Sequence, residues 1–567
     1  MRALPVSSWK RDLLLLTLAI GLLLGVALGV RALWGPDEGR YVEIPREMVT
    51  TGDYVTPRLN GVKYFEKPPL FYWLQAAAIH LFGLREWAMR LVPALSALLG
   101  CLAVYAAGRR LFSRRAGLLA AAILATTPLW YFLGNAITLD MTVSALLTVA
   151  LLAFLVAVQE PEDAPLRRNL LWASYVALAL ATLAKGLIGI AIPGMVIVVW
   201  MALLGDWDLP RRIRLGSGTV IFLLIAVPWH VLVARANPEF LWFYFIHEHV
   251  LRYVTKIHAR YEPPWFFIPV LLGGMIPWTA FLVQAVRDAL PAGWRRRHET
   301  KETLFLLLWA GLVFVFFSLS SSKLVPYILP VVPPLALLLG RYLDERIVAP
   351  AAAGDQRLNS PSLRRATGVL LVLAGGFGAV FALAPRLLAG KPKLEAYADA
   401  FGGRLYLLAG SLLLLGILPF LFARRHRPVR SLAAIFGGTV LFFLAFLACL
   451  PIFNAERSTR SLALWLKPRL RPGDQVVTYR AYFQELPVYL ERRITIAGWR
   501  GELEMGTKAE DTRSWMIDLG AFDRLWRGPG TVYLLTEEDR YEDLERVGFP
   551  LYRLAKSGKT VLAVNRP

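Results

Sequence analysis

Cysteine is almost absent: 567 residues contain two, Cys101 and Cys449, each inside an apolar run. That excludes a disulfide framework and a thiolate metal site. Acidic charge is also scarce, with 41 Asp and Glu against 63 Lys and Arg and a formal net charge of +22. No Gly-rich phosphate loop, nucleophile elbow or Cys/His zinc spacing occurs, and no solenoid repeat or low-complexity tract. Chemistry driven by bound ATP therefore has no motif here, and a preformed activated substrate is expected instead. The basic excess is gathered in short clusters such as Arg109-Arg110 with Arg114-Arg115, Arg295-Arg296-Arg297 and Arg424-Arg425-His426-Arg427. Such clusters are the topogenic marks of cytoplasmic loops, so nucleic acid is not a partner.

What is abundant is apolar sequence, 56% of the chain. It is arranged in runs long enough to cross a bilayer and lacks barrel alternation, which makes a polytopic α-helical membrane protein the expected class. Length and flanks give about 13 spans. They lie near 12–33, 87–107, 116–134, 138–157, 170–184, 187–204, 214–234, 265–286, 303–319, 323–340, 366–385, 405–423 and 431–450. The first is read as a retained span, since no small-residue cleavage site follows it. Leu70 to Phe82 is apolar but short, hence interfacial or re-entrant. With the N-terminus inside, the loops at 108–115, 158–169, 205–214, 287–302, 341–365 and 424–430, each carrying Lys or Arg, fall on the cytoplasmic side, and the alternate loops are poorer in short basic clusters. The segments 34–70, 235–264, 386–404 and everything beyond Leu450 then face outward. Residues 1–450 are expected as the transmembrane domain with outer interfacial loops at 34–70 and 235–264, and 451–567 as a small outer α/β domain. In that domain Gln475–Tyr479, Arg493–Ile496, Thr531–Leu535 and Thr560–Ala563 read as strands, with helices over Phe483–Glu491 and Glu538–Arg546.

The densest set of charged residues follows the first apolar run: Trp34-Gly-Pro-Asp-Glu-Gly-Arg-Tyr41, continuing to Tyr64-Phe-Glu-Lys-Pro-Pro-Leu70. Charge at a membrane surface is solvated, paired or used in chemistry. Asp37 and Glu38 follow a Gly-Pro turn signal and open an interfacial helix, Glu38 to Val49, with Arg40 and Tyr41 on different sides. Acidic residues at a helix start also complement the macrodipole, which is the plain alternative. The prolines after Lys67 fix an extended approach that holds it at the interface, where a lysine also snorkels without further purpose. Arg58 and Tyr64 belong to the same segment and join the candidate substrate-binding set. Asp140 sits at the outer end of the fourth span and needs a cation, for which Lys67 is the expected partner. Lys185, in a very short outer turn, either neutralises a phosphate or snorkels. Trp242 to Tyr253 combines aromatics with His247, His249 and Arg252, whose fork suits two phosphate oxygens. Glu66 with His247 or His249 is the candidate divalent-ion site, although no ligand spacing supports it and hydrogen-bonded interfacial histidines are the alternative. Lys323 and Tyr327 stand at the outer end of the tenth span.

Several of these stretches together carry a resemblance. They are Trp34–Tyr41, Phe65-Glu-Lys-Pro-Pro-Leu70, Thr138-Leu-Asp-Met141, His247-Glu-His249 with Arg252, and Ser322-Lys-Leu-Val-Pro-Tyr-Ile-Leu-Pro330. The chain resembles the membrane glycosyltransferases related to protein O-mannosyltransferases, and within them the bacterial branch that moves aminoarabinose onto lipid A. The likeness runs over most of the chain to Leu450; the outer C-terminal domain resembles that branch in placement only. What it implies is a C-type glycosyltransferase fold in the inner membrane with its site facing the periplasm. The implied reaction is inverting transfer of 4-amino-4-deoxy-L-arabinose from undecaprenyl phosphate to a phosphate of lipid A, which confers resistance to polymyxin and cationic peptides. On that reading Asp37, Lys67 and Asp140 form the catalytic set. Glu38, Arg40, Tyr41, Arg58, Tyr64, Lys185, Arg252 and Tyr327 bind substrate. No cofactor is required beyond the candidate metal at Glu66 and His247, and the chain acts as a monomer. The alternatives are another polyprenyl-phosphate glycosyltransferase, acting on protein, and a lipid-linked-sugar flippase. A flippase calls for inverted repeats with charge at the bilayer midplane, whereas these charges gather on one face.

Overall fold

The computed structural model describes residues 6–251, 262–353, 361–388 and 398–566. Among them, eight helices are long and apolar enough to cross a membrane. A ninth crossing is added if Phe267–Gly274 and Thr279–Ala289, bent by 104°, form one span. This many apolar helices makes the chain a multi-pass membrane protein.

Length and flanks led to an expectation of about 13 spans; eight or nine stretches meet the length and hydropathy of a crossing among the described residues, and several others are divided or short. The expected span 116–134 is broken into Arg114–Ala125 and Pro128–Leu133 at Thr126-Thr127. The expected span 323–340 opens as a 3₁₀ helix, Val325–Val331, before the α-helix Val332–Leu343. Proline lacks the amide that would continue either ladder. Leu70–Phe82 and Ile188–Leu204 are apolar helices of 13 and 17 residues. The N-terminal helix, α1, covers Val6–Gly25 rather than 12–33.

The contacts divide the chain into two compact units. The first contains Met1–Ala27, Pro93–Pro228 and Ile246–Cys449. Within it Asp12 of α1 is buried, and its carboxylate accepts from Arg114 at 2.6 Å and from the Tyr105 hydroxyl at 2.7 Å. An internal charge is thereby paired, as a low-dielectric setting demands.

The second unit is assembled from three separated stretches, Leu28–Val92, Trp229–Phe245 and Leu450–Pro567. Its first helix, α2, is Asp37–Thr51, ended by Gly52 in the left-handed conformation. The Gly35–Pro36 peptide bond is cis. A short hairpin follows, β1 (Arg58–Leu59) and β2 (Val62–Lys63), then α3, Leu70–Phe82. The C-terminal stretch forms a six-stranded sheet. Its strands are β3 (Gln475–Tyr479), β4 (Thr495–Ala497), β5 (Met516–Ile517), β6 (Val532–Glu537), β7 (Tyr552–Ser557) and β8 (Thr560–Val564). The spatial order is β5-β4-β3-β6-β8-β7. The first four strands run parallel, while β8 is antiparallel to both neighbours. Val477, Leu534, Val561, Phe522 and Trp526 fill the core of this sheet. The three stretches are stitched by hydrogen bonds. The Trp229 indole donates to the Val55 carbonyl at 3.0 Å, and Asn60 exchanges two bonds with the Ile494 backbone, each 3.0 Å.

Candidate active site

In the second unit the candidate residues lie on α2 and the hairpin behind it. Asp37 is the first residue of α2, and its side chain is 53% exposed. Arg40, one turn on, is buried and donates to Asp37 Oδ1 at 3.3 Å. The other side of its guanidinium pairs with Glu502, which accepts from Gln484 at 2.9 Å. Burial raises the Glu502 pKa and Arg40 opposes that rise. A carboxylate thus stands in solvent with a fixed guanidinium at its base, an arrangement able to orient a sugar or accept a proton.

Glu38 differs from its neighbour. It is buried, and its carboxylate accepts from Arg31 at 2.7 Å, Arg90 at 2.8 Å and the Trp34 amide at 3.0 Å. Burial pushes its pKa up, but the Arg90 and Arg31 guanidiniums outweigh burial and hold it at about 2. These bonds make Glu38 a strut that fixes the start of α2. Further along the same helix, Glu43 pairs with Arg46 at 2.6 Å, and Glu47 accepts the Gly61 amide at 2.9 Å. Glu47 is raised well above its ordinary pKa by burial and by the adjacent Glu43 charge.

Tyr41 is buried, stacked on Tyr72 with centroids 6.2 Å apart and edge-on to Phe71 at 5.8 Å. Tyr64 is buried with a hydroxyl that has no hydrogen-bond partner among the described residues. Arg58 pairs with Glu510 at 2.9 Å and also donates to the Gly61 carbonyl. Lys67 donates to the Glu66 carbonyl at 2.7 Å.

In the first unit the helix Leu139–Ala157 begins next to Asp140, and Pro165–Lys185 ends on Lys185 because Gly186 turns the chain at φ +84°. A carboxylate at a helix N-terminus and an ammonium at a C-terminus each complement the local dipole. The two form an ion pair. Lys185 Nζ also lies 4.4 Å from the centre of the Tyr327 ring, a cation–π distance. The cation that meets Asp140 is therefore Lys185, a correction to the expected Lys67 pairing. The physical reason is that two helix ends distant in sequence meet here, which spacing along the chain does not show. Lys323 is buried, donating to the Glu262 carbonyl at 2.8 Å and the Ser320 carbonyl at 2.6 Å.

The candidate metal site gains no support among the described residues, where no three His, Cys, Asp or Glu side chains gather as ligands. His247 Nδ1 faces its neighbour Glu248 at 3.2 Å. Arg252 lies outside the described residues.

Several residues of this region escaped the sequence reading. Arg90 and Arg31 carry Glu38, while Glu502 and Gln484 brace Arg40 from beyond residue 480. Arg90 left a signal, since an arginine inside an apolar run requires an internal acid. Glu502 left none.

Three comparisons bear on this geometry. Residues 66–231 match the family model described as dolichyl-phosphate-mannose-protein mannosyltransferase. Residues 462–565 match the aminoarabinose transferase C-terminal domain. The undecaprenyl phosphate-alpha-4-amino-4-deoxy-L-arabinose arabinosyl transferase of Erwinia tasmaniensis is 30% identical over 560 residues, 96% of each chain. That of Pectobacterium carotovorum is 32% identical over 551 residues, 94% of each. The crystal structure of ArnT from Cupriavidus metallidurans bound to undecaprenyl phosphate superposes with a TM-score of 0.85, covers 99% of both chains and is 32% identical. An archaeal oligosaccharyltransferase, AglB from Archaeoglobus fulgidus, shares the fold alone, with TM-score 0.51 and 12% identity over 99% of this chain and 75% of its own. Fold, both domain matches and near full-length identity agree: the chain belongs to the undecaprenyl phosphate-aminoarabinose arabinosyltransferases, polyprenyl-phosphate-dependent enzymes of the C-type glycosyltransferase fold.

Proposed function

We propose that the chain moves 4-amino-4-deoxy-L-arabinose from undecaprenyl phosphate to a phosphate of lipid A, with inversion, at the periplasmic face of the inner membrane and as a monomer. The observation that carries this reading is the exposed Asp37 carboxylate anchored by the buried Arg40. It is joined by the match of residues 462–565 to the aminoarabinose-specific C-terminal domain. A protein-directed mannosyltransferase is the second reading, favoured by the match over 66–231 alone.

In the proposed reaction the acceptor phosphate oxygen attacks the anomeric carbon, and the bond to the undecaprenyl phosphate oxygen breaks with its electrons. The acceptor is already anionic, so a strong base is not demanded. Asp37 then positions the sugar and pairs with its amino group as much as it takes a proton. Negative charge grows on the departing phosphate, where Lys185 and Arg252 act as electrostatic stabilisers. Asp140, bound to Lys185, holds that ammonium in place, with the Tyr327 ring behind it. Lys67 binds a substrate phosphate from its proline-fixed interfacial position. Arg58 and Tyr64 shape the pocket, and Tyr41 with Tyr72 forms its aromatic wall. Glu38 acts as a positioning residue, because its oxygens already meet Arg31 and Arg90. The added sugar carries an ammonium that offsets the charge of lipid A, so cationic peptides such as polymyxin bind it less well.

Mass spectrometry of lipid A from cells with and without the protein tests the reading. A gain equal to one aminoarabinose per modified phosphate is expected. An unchanged lipid A together with an altered glycoprotein overturns it in favour of the mannosyltransferase.

A further inference from the structure

The C-terminal sheet has a topological switch point. From β3 the chain moves outward through β4 to β5, then crosses back to β6 on the opposite side of β3. In open α/β sheets, ligands bind in the crevice outside the carboxyl ends of the strands where the order reverses. A cavity of about 360 Å³ lies there, lined by the residues that follow β3, by Trp499 just beyond β4 and by Glu537 at the end of β6.

Its chemistry is selective. Arg480, the first residue after β3, is held at φ +50°, a strained conformation for a residue with a side chain. Its amide donates to the Ala497 carbonyl at 2.8 Å, which ties the carboxyl ends of β3 and β4 together. Arg457 lines the same cavity, and neither arginine has an ion-pair partner among the described residues. Glu456, Glu485 and Glu537 share the lining, yet neither guanidinium is tied to one of them, so the arginines can meet an anion while the glutamates accept from sugar hydroxyls. Trp499 and Tyr482 meet with centroids 5.5 Å apart and form an aromatic wall suited to the apolar face of a sugar ring. Tyr482 and Glu485, both more than nine-tenths buried, line the cavity too, and among the described residues the Tyr482 hydroxyl and one Glu485 oxygen have no hydrogen-bond partner. Unsatisfied buried polar groups of this kind call for a ligand. Gly35 and Pro36 complete the lining, immediately before Asp37.

We propose that this switch-point cavity is a second binding site, which takes a saccharide bearing a phosphate or carboxylate and so engages the headgroup of the acceptor. The ligand class follows from the cavity itself, whereas its assignment to the acceptor rests on the glycosyl-transfer reading above. Arg480 and Arg457 meet the anion, and Trp499 with Tyr482 covers the ring.

The test is calorimetric titration of the full-length protein in detergent with glucosamine 1-phosphate, alongside glucosamine and inorganic phosphate separately. Saturable binding of the sugar phosphate is expected, tighter than either fragment and weakened at least tenfold in Arg480→Gln and in Trp499→Ala. Each variant is checked for an unchanged melting temperature, and Arg457→Gln on the exposed rim serves if either fails to fold. Vesicles containing lipid A form a further arm, and loss of their binding in the same variants ties the cavity to a membrane-borne headgroup. No binding of the sugar phosphate, or equal binding by all folded variants, overturns the site. If lipid A still gains aminoarabinose in cells while that binding is absent, the cavity inference fails and the transferase reading stands. Binding without any mass gain supports the cavity and overturns the transferase reading.

Discussion

Two adjacent carboxylates on one turn of α2 have opposite environments, and the difference sets their roles. Asp37 is more than half exposed, whereas Glu38 is enclosed by Arg31, Arg90 and the Trp34 amide. Asp37→Asn keeps the shape and hydrogen bonding of the helix start. We expect it to abolish transfer in an assay of the purified enzyme with undecaprenyl-phosphate-linked donor, with an unchanged melting temperature; full activity would remove Asp37 from the reaction. Glu38→Gln leaves buried guanidiniums undercompensated, which costs about 3–5 kcal/mol when a buried pair is broken. Its expected result is loss of folded yield and a lowered melting temperature rather than a specific loss of turnover. The Glu38 carboxyl, held at about 2, contributes stability above its ordinary value near 4.5 that is lost as the pH falls toward 2. The sequence put both residues at the site, with Asp37 as the catalytic member, but did not show what encloses Glu38, because Arg90 lies 52 residues away from its partner.

The helix α2 shows how an element carries constraints that local pattern does not reveal. Its start was legible from Gly35-Pro36 and the acidic pair, and the helix over 538–546 from its amphipathic run. By contrast β5 has two residues, and β7 is a mostly exposed edge strand bearing Arg553 and Lys556, so neither shows strand alternation. Leu519–Arg527 is helical, opened by Asp518 accepting the Ala521 amide at 2.7 Å, a cap signal that was present and passed over. Gly39 sits inside α2, where glycine is ordinarily worse than alanine by about 1 kcal/mol. Here a Cβ would collide with the backbone of Gln484 and Glu485. Gly39→Ala is therefore expected to destabilise by about 1–3 kcal/mol through overpacking, read as a lower melting temperature in detergent. On the same helix Glu43 and Glu47 are both raised by burial, Glu47 further because the Glu43 charge lies beside it. A carboxyl raised in the folded state binds its proton more tightly than in the unfolded chain. Stability is then fully present below the ordinary value near 4.5 and declines as the pH rises toward the folded value. Glu47→Gln should flatten that decline above its ordinary value near 4.5, and an unchanged slope of melting temperature against pH would exclude Glu47 as its source.

At the scale of the whole chain, the class and the family were legible, because apolar run length and the motifs between Trp34 and Pro330 survive without any knowledge of packing. The breaks inside the apolar runs were not, since prolines and tight bends divide stretches that composition alone reads as continuous. Nor was the assembly of the second unit from three stretches of the chain, which no local window can register. That assembly predicts that a protein ending at residue 450 loses more than its last sheet. Limited proteolysis of such a truncation in membranes should cleave within residues 34–63, where the intact protein resists, because α2 and the hairpin lose the groups that bury them. Equal resistance in both would show that the first stretch folds unaided.

The ion pair between Arg40 and Glu502 joins residues 462 positions apart. Arg40 leaves the ribosome early, whereas Glu502 follows only after hundreds of further residues have been made and threaded through the membrane. For that interval, many seconds at about 5–20 residues per second, the guanidinium beside Asp37 has no Glu502 to meet. The Arg40–Glu502 pair therefore cannot form until synthesis is nearly over, and a ribosome stalled anywhere before residue 502 leaves Arg40 without that partner.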